Sequence, residues 1–292
     1  MNPNNTNMTT HTPSTCPPVG PLVVKLGGAA VEDARSADAL WRAIVALHAQ
    51  ESGGLVLVHG GGAIVDRRLA ALGMISQRLD GVRITPPEQI DEVVATLGGL
   101  VNAGVVARLC ALGAVAVGLR LSDGGLTRLV KADQYAFDPG HVGRVEPGDP
   151  TVVHSLLAQG FLPVLSSVGH DAHGRLLNVN ADDAAAGVAC ALGARELILL
   201  TDVPGVLDAH GALLDRLDGA SIAARIDAGE IAAGMIPKAT GALRAATEAR
   251  APAWIASAAD PDNLLALARG EGLGTLVVPT PAHAGRMHEV SL

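Results

Sequence analysis

Three lysines stand in this chain of 292 residues, at Lys25, Lys131 and Lys238, against 18 arginines. Where arginine is the default cation, a lysine marks a position that uses a compact ammonium on a flexible stem rather than a planar fork. Lys25 lies in KLGG, residues 25–28, and Lys238 closes GMIPK, residues 234–238. A cation at a helix start opposes the helix dipole, so Lys238, just after Pro237, makes sense where an anion is held beside it. Lys131, in TRLVKAD, reads as a solvated charge on an edge strand.

Glycines accompany the first lysine. HGGG at 59–62 falls between an apolar strand and a helical run, where backbone N–H groups and a helix N-terminus can cradle an anion. Alone it is equally a tight turn in a chain with 35 glycines. Two glycine-bearing strand ends in succession favour one shared anion site, on the side of a parallel sheet where ligands bind. NVNAD at 178–182 then sets Asn178, Asn180 and Asp182 before a helix, with Asp183 next; one of them serves as N-cap, which leaves the clustering of the rest to explain. Arg83, in DGVRITP, follows an Asp80-Gly81 turn and is predicted to ride a short flap over the glycine loop. His59 reads as a structural strand-end residue rather than a base, and Asp171 and His173 as surface residues of the turn HDAHG. There is no G-x-S-x-G and no His-rich metal spacing, nor the GK[ST] of a P-loop.

Positioning these groups requires a particular scaffold. LVVKL at 22–26 and LVLV at 55–58 read as buried strands, separated by a helix from about 37 to 50 that Ser36 can cap. HGGGAIVDRRLAALG runs from the glycine loop into a helix stopped by Gly73. A long helix spans about 87–112, starting at Pro87, and its internal glycines point to close packing against a neighbouring helix. After strand VAVGL, the turn-rich segment 121–147 suggests hairpins added at a sheet edge. A helix ended by Gly160, strand LPVLSSV and the NVNAD helix follow. The alternation restarts at strand 196–201, with helices near 220–228, 237–249 and 261–269 and a last strand GTLVV. Recurrence of strand, glycine turn and helix indicates a parallel sheet with right-handed crossovers.

Composition narrows the partners. A formal charge of -8 with two Phe, one Tyr and two Trp argues against nucleic acid or an anionic membrane. No uninterrupted apolar run of about 18 residues is present to span a bilayer, and residues 1–20 lack the pattern of a signal peptide. Cys16, Cys110 and Cys190 suggest neither a disulfide framework nor a zinc site. A soluble, cytoplasmic protein is expected.

In their order, KLGG, HGGG, GVRITP, GHVG, NVNAD, LTDVPGVL and GMIPK resemble the signatures of the amino acid kinase family, across residues 21–278. The resemblance implies an α/β fold, a three-layer α/β/α sandwich around a mainly parallel sheet of about eight strands. It implies an acceptor-binding and dimerising lobe at 21–194 and an ATP-binding lobe at 195–282, between an extension at 1–20 and a tail at 283–292. The implied reaction carries the γ-phosphoryl group of ATP to the γ-carboxylate of N-acetyl-L-glutamate, a step of arginine biosynthesis. Mg²⁺ would arrive on the ATP phosphates, with no metal site on the protein. Carried across, Lys25 and Lys238 stabilise the transferring phosphoryl group and Asp182 orients both lysines. Gly60, Gly61 and Gly62 bind acceptor and phosphoryl oxygens, while Arg83, Asn178 and Asn180 hold the acceptor. Gly27, Gly28, Asp202, Val203, Pro204, Gly205, Val206 and Leu207, with Glu230, Ile231, Ala232 and Met235, border the nucleotide; Pro204 and Val206 stand where relatives vary.

Phosphoryl transfer rests on positioning and charge stabilisation, and a carboxylate acceptor, with a pKa of roughly 4.3, needs no general base. The nearest rival is a kinase for an N-blocked α-aminoadipate, because one methylene is worth only ~1 to 3 kcal/mol of discrimination. A non-catalytic homologue that senses an acyl amino acid would tolerate arginine at 25 or 238, and a dinucleotide-dependent dehydrogenase would need a G-x-G-x-x-G turn with a following acidic residue. Arginine-inhibited family members carry an N-terminal amphipathic helix that links dimers into hexamers. Residues 1–20 show no such periodicity, and 256–278 lacks the His-Ser-Leu run of those members. A homodimer through helix 87–112, with weak or absent arginine inhibition, is therefore expected.

Overall fold

The structure, a computed structural model, describes residues 20–32, 38–79 and 81–279. Strand β1 (Leu22–Leu26) leads through α1 (Gly28–Glu32) and α2 (Asp38–Gln50) to β2 (Leu55–His59) and α3 (Gly62–Ala71). The hairpin β3 (Gln77–Leu79) and β4 (Val82–Ile84) precedes one long helix, made of α4 (Pro87–Val94), a π-helical stretch (Ala95–Val101) and α5 (Asn102–Ala111). There follow β5 (Ala116–Arg120), β6 (Thr127–Lys131), β7 (Gly143–Pro147), α6 (Thr151–Ala158), β8 (Leu162–Ser166), β9 (Val168–His170), β10 (Leu176–Asn178) and α7 (Ala181–Leu192). The remainder runs β11 (Glu196–Thr201), β12 (Arg216–Leu217), α8 (Gly219–Asp227), α9 (Ile236–Ala249), β13 (Ala253–Ser257), α10 (Pro261–Ala268) and β14 (Thr275–Val277). Ser36, the expected cap of α2, and Asp80, of the expected turn before Arg83, lie outside the described residues, as do residues 1–19 and Cys16.

Eight strands form one sheet in the order β12-β14-β13-β11-β1-β2-β8-β5. All its pairings are parallel except β13 with β14. Neighbours β1 and β11 send the chain in opposite directions, β1 to the adjacent β2 on one side and β11 to the far-edge strand β12 on the other. Diverging connections of this kind leave a crevice beyond the carboxyl ends of the two strands. Lys25 and Gly27 stand at one lip, and Thr201 and Asp202 at the other.

Strand alternation decides which way Lys25 faces. Leu22, Val24 and Leu26 join a core formed with α2, α5 and α10, whereas Val23 joins the opposite core with α7 and α9. Side chains two apart share a face, so Lys25 turns toward α7 and α9. Those helices meet through small residues, Ala185 and Ala189 among them on α7 and Ala242 and Ala246 on α9, all fully or almost fully buried. Methyl-sized side chains let the helices approach closely, and the N-terminal turns of both come to the carboxyl edge of the sheet.

Two expectations need correction. The hairpin β6–β7 is a separate two-stranded sheet; instead of extending the sheet edge it packs on α7, because its apolar side, including Leu129 and Val145, needs cover. Asp171 is buried, not superficial, and accepts from the backbone of His173 and Arg175 and from the Arg175 side chain. The 25-residue helix Pro87–Ala111 is long and apolar enough in composition to cross a membrane, although Glu88, Asp91, Glu92, Asn102 and Arg108 interrupt its apolar residues. In this fold its inner face packs on β5, β8 and β10 and buries the polar residues Gln89, Thr96 and Asn102.

Candidate active site

The Lys25 ammonium lies 2.9 Å from Asp182 Oδ1, with the lysine side chain only 13% exposed. Asp182 is held by the start of α7, where Asn180 Oδ1 accepts from the backbone N–H of Asp182 at 2.8 Å and of Asp183 at 3.4 Å. Asn180 is thus the cap within NVNAD, and capping presents the Asp182 carboxylate to Lys25. Lys238 stands in the first turn of α9, its Nζ 2.7 Å from Asp202 Oδ1. This pair answers the dipole argument, since the anion beside Lys238 is Asp202. The hydrogen bond from Lys238 is the main reason that the Asp202 carboxyl is held below its ordinary range. Asp182 therefore contacts Lys25 alone, and each lysine has its own carboxylate.

Two cavities meet here. One, of about 420 Å³, is lined by Gly27, Gly28, Thr201, Asp202 and Lys238. The other, of about 180 Å³, is lined by residues 60–62, Arg78, Arg83, Asn178 and Asn180. Lys25 and Gly28 line both. The lysine forms part of the wall that the two cavities share, at the crevice between β1 and β11.

Three separated segments roof the smaller cavity. Thr85 N–H donates to the Pro139 carbonyl, His141 N–H to the Thr85 carbonyl at 2.7 Å, and Asn178 N–H to the His141 carbonyl at 2.9 Å. GVRITP, GHVG and NVNAD are knitted together by these bonds, and Asn178 Nδ2 adds a bond to Thr85 Oγ1. On the floor, Gly61 adopts φ 150° as the N-cap of α3. A Cβ there would press on Leu97 at 3.1 Å and Val101 at 3.3 Å, so glycine answers both to the backbone and to the close approach of the long helix.

Arg83 reaches this floor as the flap reading expects, donating to the Gly62 carbonyl at 2.8 Å. Its guanidinium also donates to Ser76 and lies 2.5 Å from Asp66 Oδ1. Arg78, which the sequence reading passed over, sits opposite Arg83 in the β3–β4 register and reaches Asp66 Oδ2 at 2.8 Å. Like charges directly across a strand pair repel, and Asp66 offsets that repulsion. Burial works against ionisation of Asp66, but the bonds from Arg83, Ser76 and Arg78 outweigh it and lower its pKa to about 2. A carboxyl depressed on folding contributes stability that is fully present above about pH 4 and is lost as the pH falls toward the folded value. Asp66→Asn is thus expected to lower the Tm at neutral pH and to weaken its pH dependence between about pH 4 and 2; an unchanged acid-side Tm profile would contradict this.

His59 is fully buried at the end of β2. Burial lowers its pKa to about 4, only partly countered by its bond to the Gly60 carbonyl, so the imidazole is neutral at ordinary pH. Among the described residues, no group of three or more His, Cys, Asp or Glu is placed to hold a metal ion.

The model of the amino acid kinase family matches residues 20–257. The chain belongs to that family. Acetylglutamate kinase of Aeromonas salmonicida (strain A449) is 44% identical over 256 residues, which cover 88% of this chain and 97% of that one. Acetylglutamate kinase of Vibrio cholerae serotype O1 (strain ATCC 39541) is 42% identical over 261 residues, covering 89% and 98%. Among solved structures, smu.665 from Streptococcus mutans UA159 superposes with a TM-score of 0.70 at 29% identity, covering 89% of this chain and 99% of that one.

In this amino acid kinase the larger cavity draws on Gly27, Gly28 and Asp202 from the residues assigned by resemblance to the nucleotide, but not on the others. Val206 is fully buried, its N–H donating to Thr275 Oγ1 at 2.7 Å. Val203 and Met235 pack against the core, Ile231 is buried, and Glu230 pairs with Arg225. Pro204, Gly205, Leu207 and Ala232 line neither cavity. Thr201, Pro237, Gly241 and Ala258 line the larger cavity and were missed. Their signal was weak, because small residues near a strand end or on a helix look like packing.

Proposed function

We propose that this chain is an acetylglutamate kinase, transferring the γ-phosphoryl group of ATP to the γ-carboxylate of N-acetyl-L-glutamate to give N-acetyl-L-glutamyl 5-phosphate and ADP. The relatives' names support this activity. The observation that carries it on the structural side is Lys25, shared by two adjoining cavities. ATP occupies the larger, with its γ-phosphate toward Lys25, and the acceptor occupies the smaller.

The difficulty of the reaction is to bring an anion to an anion, since the carboxylate is already ionised and needs no base. Lys25, steadied by Asp182, places one ammonium where the phosphoryl group passes. Lys238 supplies the second by swinging from Asp202 to the phosphate, a motion suited to a flexible stem. The N–H groups of residues 60–62, at the start of α3, face the group in transit, and fixed donors of this kind act where charge develops. Arg78, Arg83, Asn178 and Asn180 hold the other end of the acceptor. Gly27 and Gly28, beside Asp202, admit the phosphates. Mg²⁺ bound with ATP would further neutralise the phosphate charge; Asp182 and Asp202 offer oxygen donors that would suit such an ion, although each is paired to a lysine.

The enzyme is read as a cytoplasmic homodimer. The outward side of the long helix presents Ala103, Gly104 and Ala107 beside Leu100, which is 57% exposed. A strip this apolar favours a partner, assigned here to the same helix of a second copy. Sedimentation should give twice the chain mass of 29.5 kDa; a monomer would contradict the assignment.

The acceptor is tested by ADP release with ATP and Mg²⁺ over N-acetyl-L-glutamate, N-acetyl-α-aminoadipate, glutamate, aspartate and carbamate. N-acetyl-L-glutamate should give the highest kcat/KM. A preference for the longer acceptor would move the chain to lysine synthesis, and no turnover with any acceptor would overturn the kinase reading.

A further inference from the structure

The long helix does more than cover the sheet. Its π-helical stretch, Ala95–Val101, ends immediately before Asn102. Such stretches are uncommon and concentrate at functional sites. A π turn takes up one residue more than an α turn, so without it Asn102 would be rotated by about 100° around the helix axis. In place, Asn102 points into the interior, 5% exposed. Its Nδ2 lies 3.0 Å from the Val164 carbonyl and 3.0 Å from His59 Nε2.

The partners fix every proton in this chain of contacts. His59 Nδ1 is 2.8 Å from the Gly60 carbonyl, which only accepts, so the imidazole proton sits on Nδ1. Nε2 is left as an acceptor and faces an amide nitrogen that has two hydrogens, one for it and one for Val164. The Asn102 Oδ1 lies against Gly118 on β5, where an added Cβ would come within 2.0 Å of it. Gly118, Asn102, His59 and Gly60 thus form one connected series that ends in the glycine loop. Leu97 and Val101, in the π-helical stretch, press on the neighbouring Gly61.

We propose that Asn102 and His59 are positioning residues that hold the glycine loop 60–62 in the orientation used for phosphoryl transfer, with the π-helical stretch as their support. This rests on reading that loop as the phosphoryl cradle. Neither side chain touches the cavities; both act through the Gly60 carbonyl, whose peptide plane sets the direction of the next N–H. A buried amide bonded only to another side chain and to a strand carbonyl is costly to retain for packing alone, and a small apolar residue would serve there if packing were the whole role.

The test compares Asn102→Ala, Asn102→Asp and Gly118→Ala with the wild type, in Tm, in kcat and KM for ATP and N-acetyl-L-glutamate, and in the imidazole tautomer by nitrogen NMR. Gly118→Ala displaces the amide without removing it. In each variant whose Tm stays within a few degrees, kcat should fall about tenfold or more with KM for ATP changed less than about twofold. The wild type should show a neutral His59 protonated on Nδ1, and the variants should lose that single tautomer. Full kcat in a folded variant, or a wild-type proton on Nε2, overturns the proposal. A wild type that turns over no acceptor instead refutes the kinase reading, and the two failures are distinguishable.

Discussion

Lys25→Arg is expected to lower kcat by a factor of about 100 to 1,000, in the range for removing one donor from a transition-state cradle. The Lys25 side chain is only 13% exposed and stands in the wall between two cavities, so a longer, forked side chain has to enter one of them. Arginine would also engage Asp182 through two parallel bonds, turning a mobile ammonium into a fixed ion pair. Charge is conserved and Asp182 keeps a partner, so the Tm should stay within a few degrees while the rate falls. A folded variant with a near wild-type rate would mean that the ammonium at this position is not special.

Lys238→Arg is expected to lower kcat at least tenfold with the fold intact. In the resting chain Lys238 is bound to Asp202 at 2.7 Å and its side chain is partly exposed. In the proposed mechanism the cation leaves Asp202 for the phosphoryl group, and a bidentate guanidinium–carboxylate pair resists that release. The loss should fall on kcat, with KM for N-acetyl-L-glutamate little changed, because Asp202 and Lys238 line the larger cavity and not the smaller. An unchanged kcat would refute the lysine argument, and a rise in that KM alone would move Lys238 to the acceptor.

Much of the scaffold was legible because β1, β2, β8 and β11 each carry an apolar run, LVV, LVLV, LPVL and LILL, as strands buried on both faces must. The positions of Gly27, Gly28, Lys25, Asp182 and Lys238 followed from strand ends and helix starts. Other features depend on tertiary placement that no local pattern encodes. That Asp202, rather than Asp182, holds Lys238 depends on how α9 approaches β11. Arg78 could have been found, since the Asp80-Gly81 turn signal in the sequence predicts a pairing that sets it across from Arg83, as the β3–β4 register does, but Asp66 between them could not. The π-helical stretch is invisible to a periodicity search, because ATLGGLV has apolar residues that fit an α turn as well. The β6–β7 hairpin carried turn signals but nothing to say that it would lie on α7 instead of the sheet edge.

The most direct measurement is to trap the product. The chain, ATP, Mg²⁺ and N-acetyl-L-glutamate are incubated with hydroxylamine, which attacks the carbonyl of an acyl phosphate and releases phosphate to leave a hydroxamate. Hydroxamate and ADP are expected in equal amounts, both dependent on the acceptor and both lost together in Lys25→Arg. ADP formed without hydroxamate, or hydroxamate unaffected by the Lys25 substitution, would contradict transfer to a carboxylate across the wall that Lys25 provides.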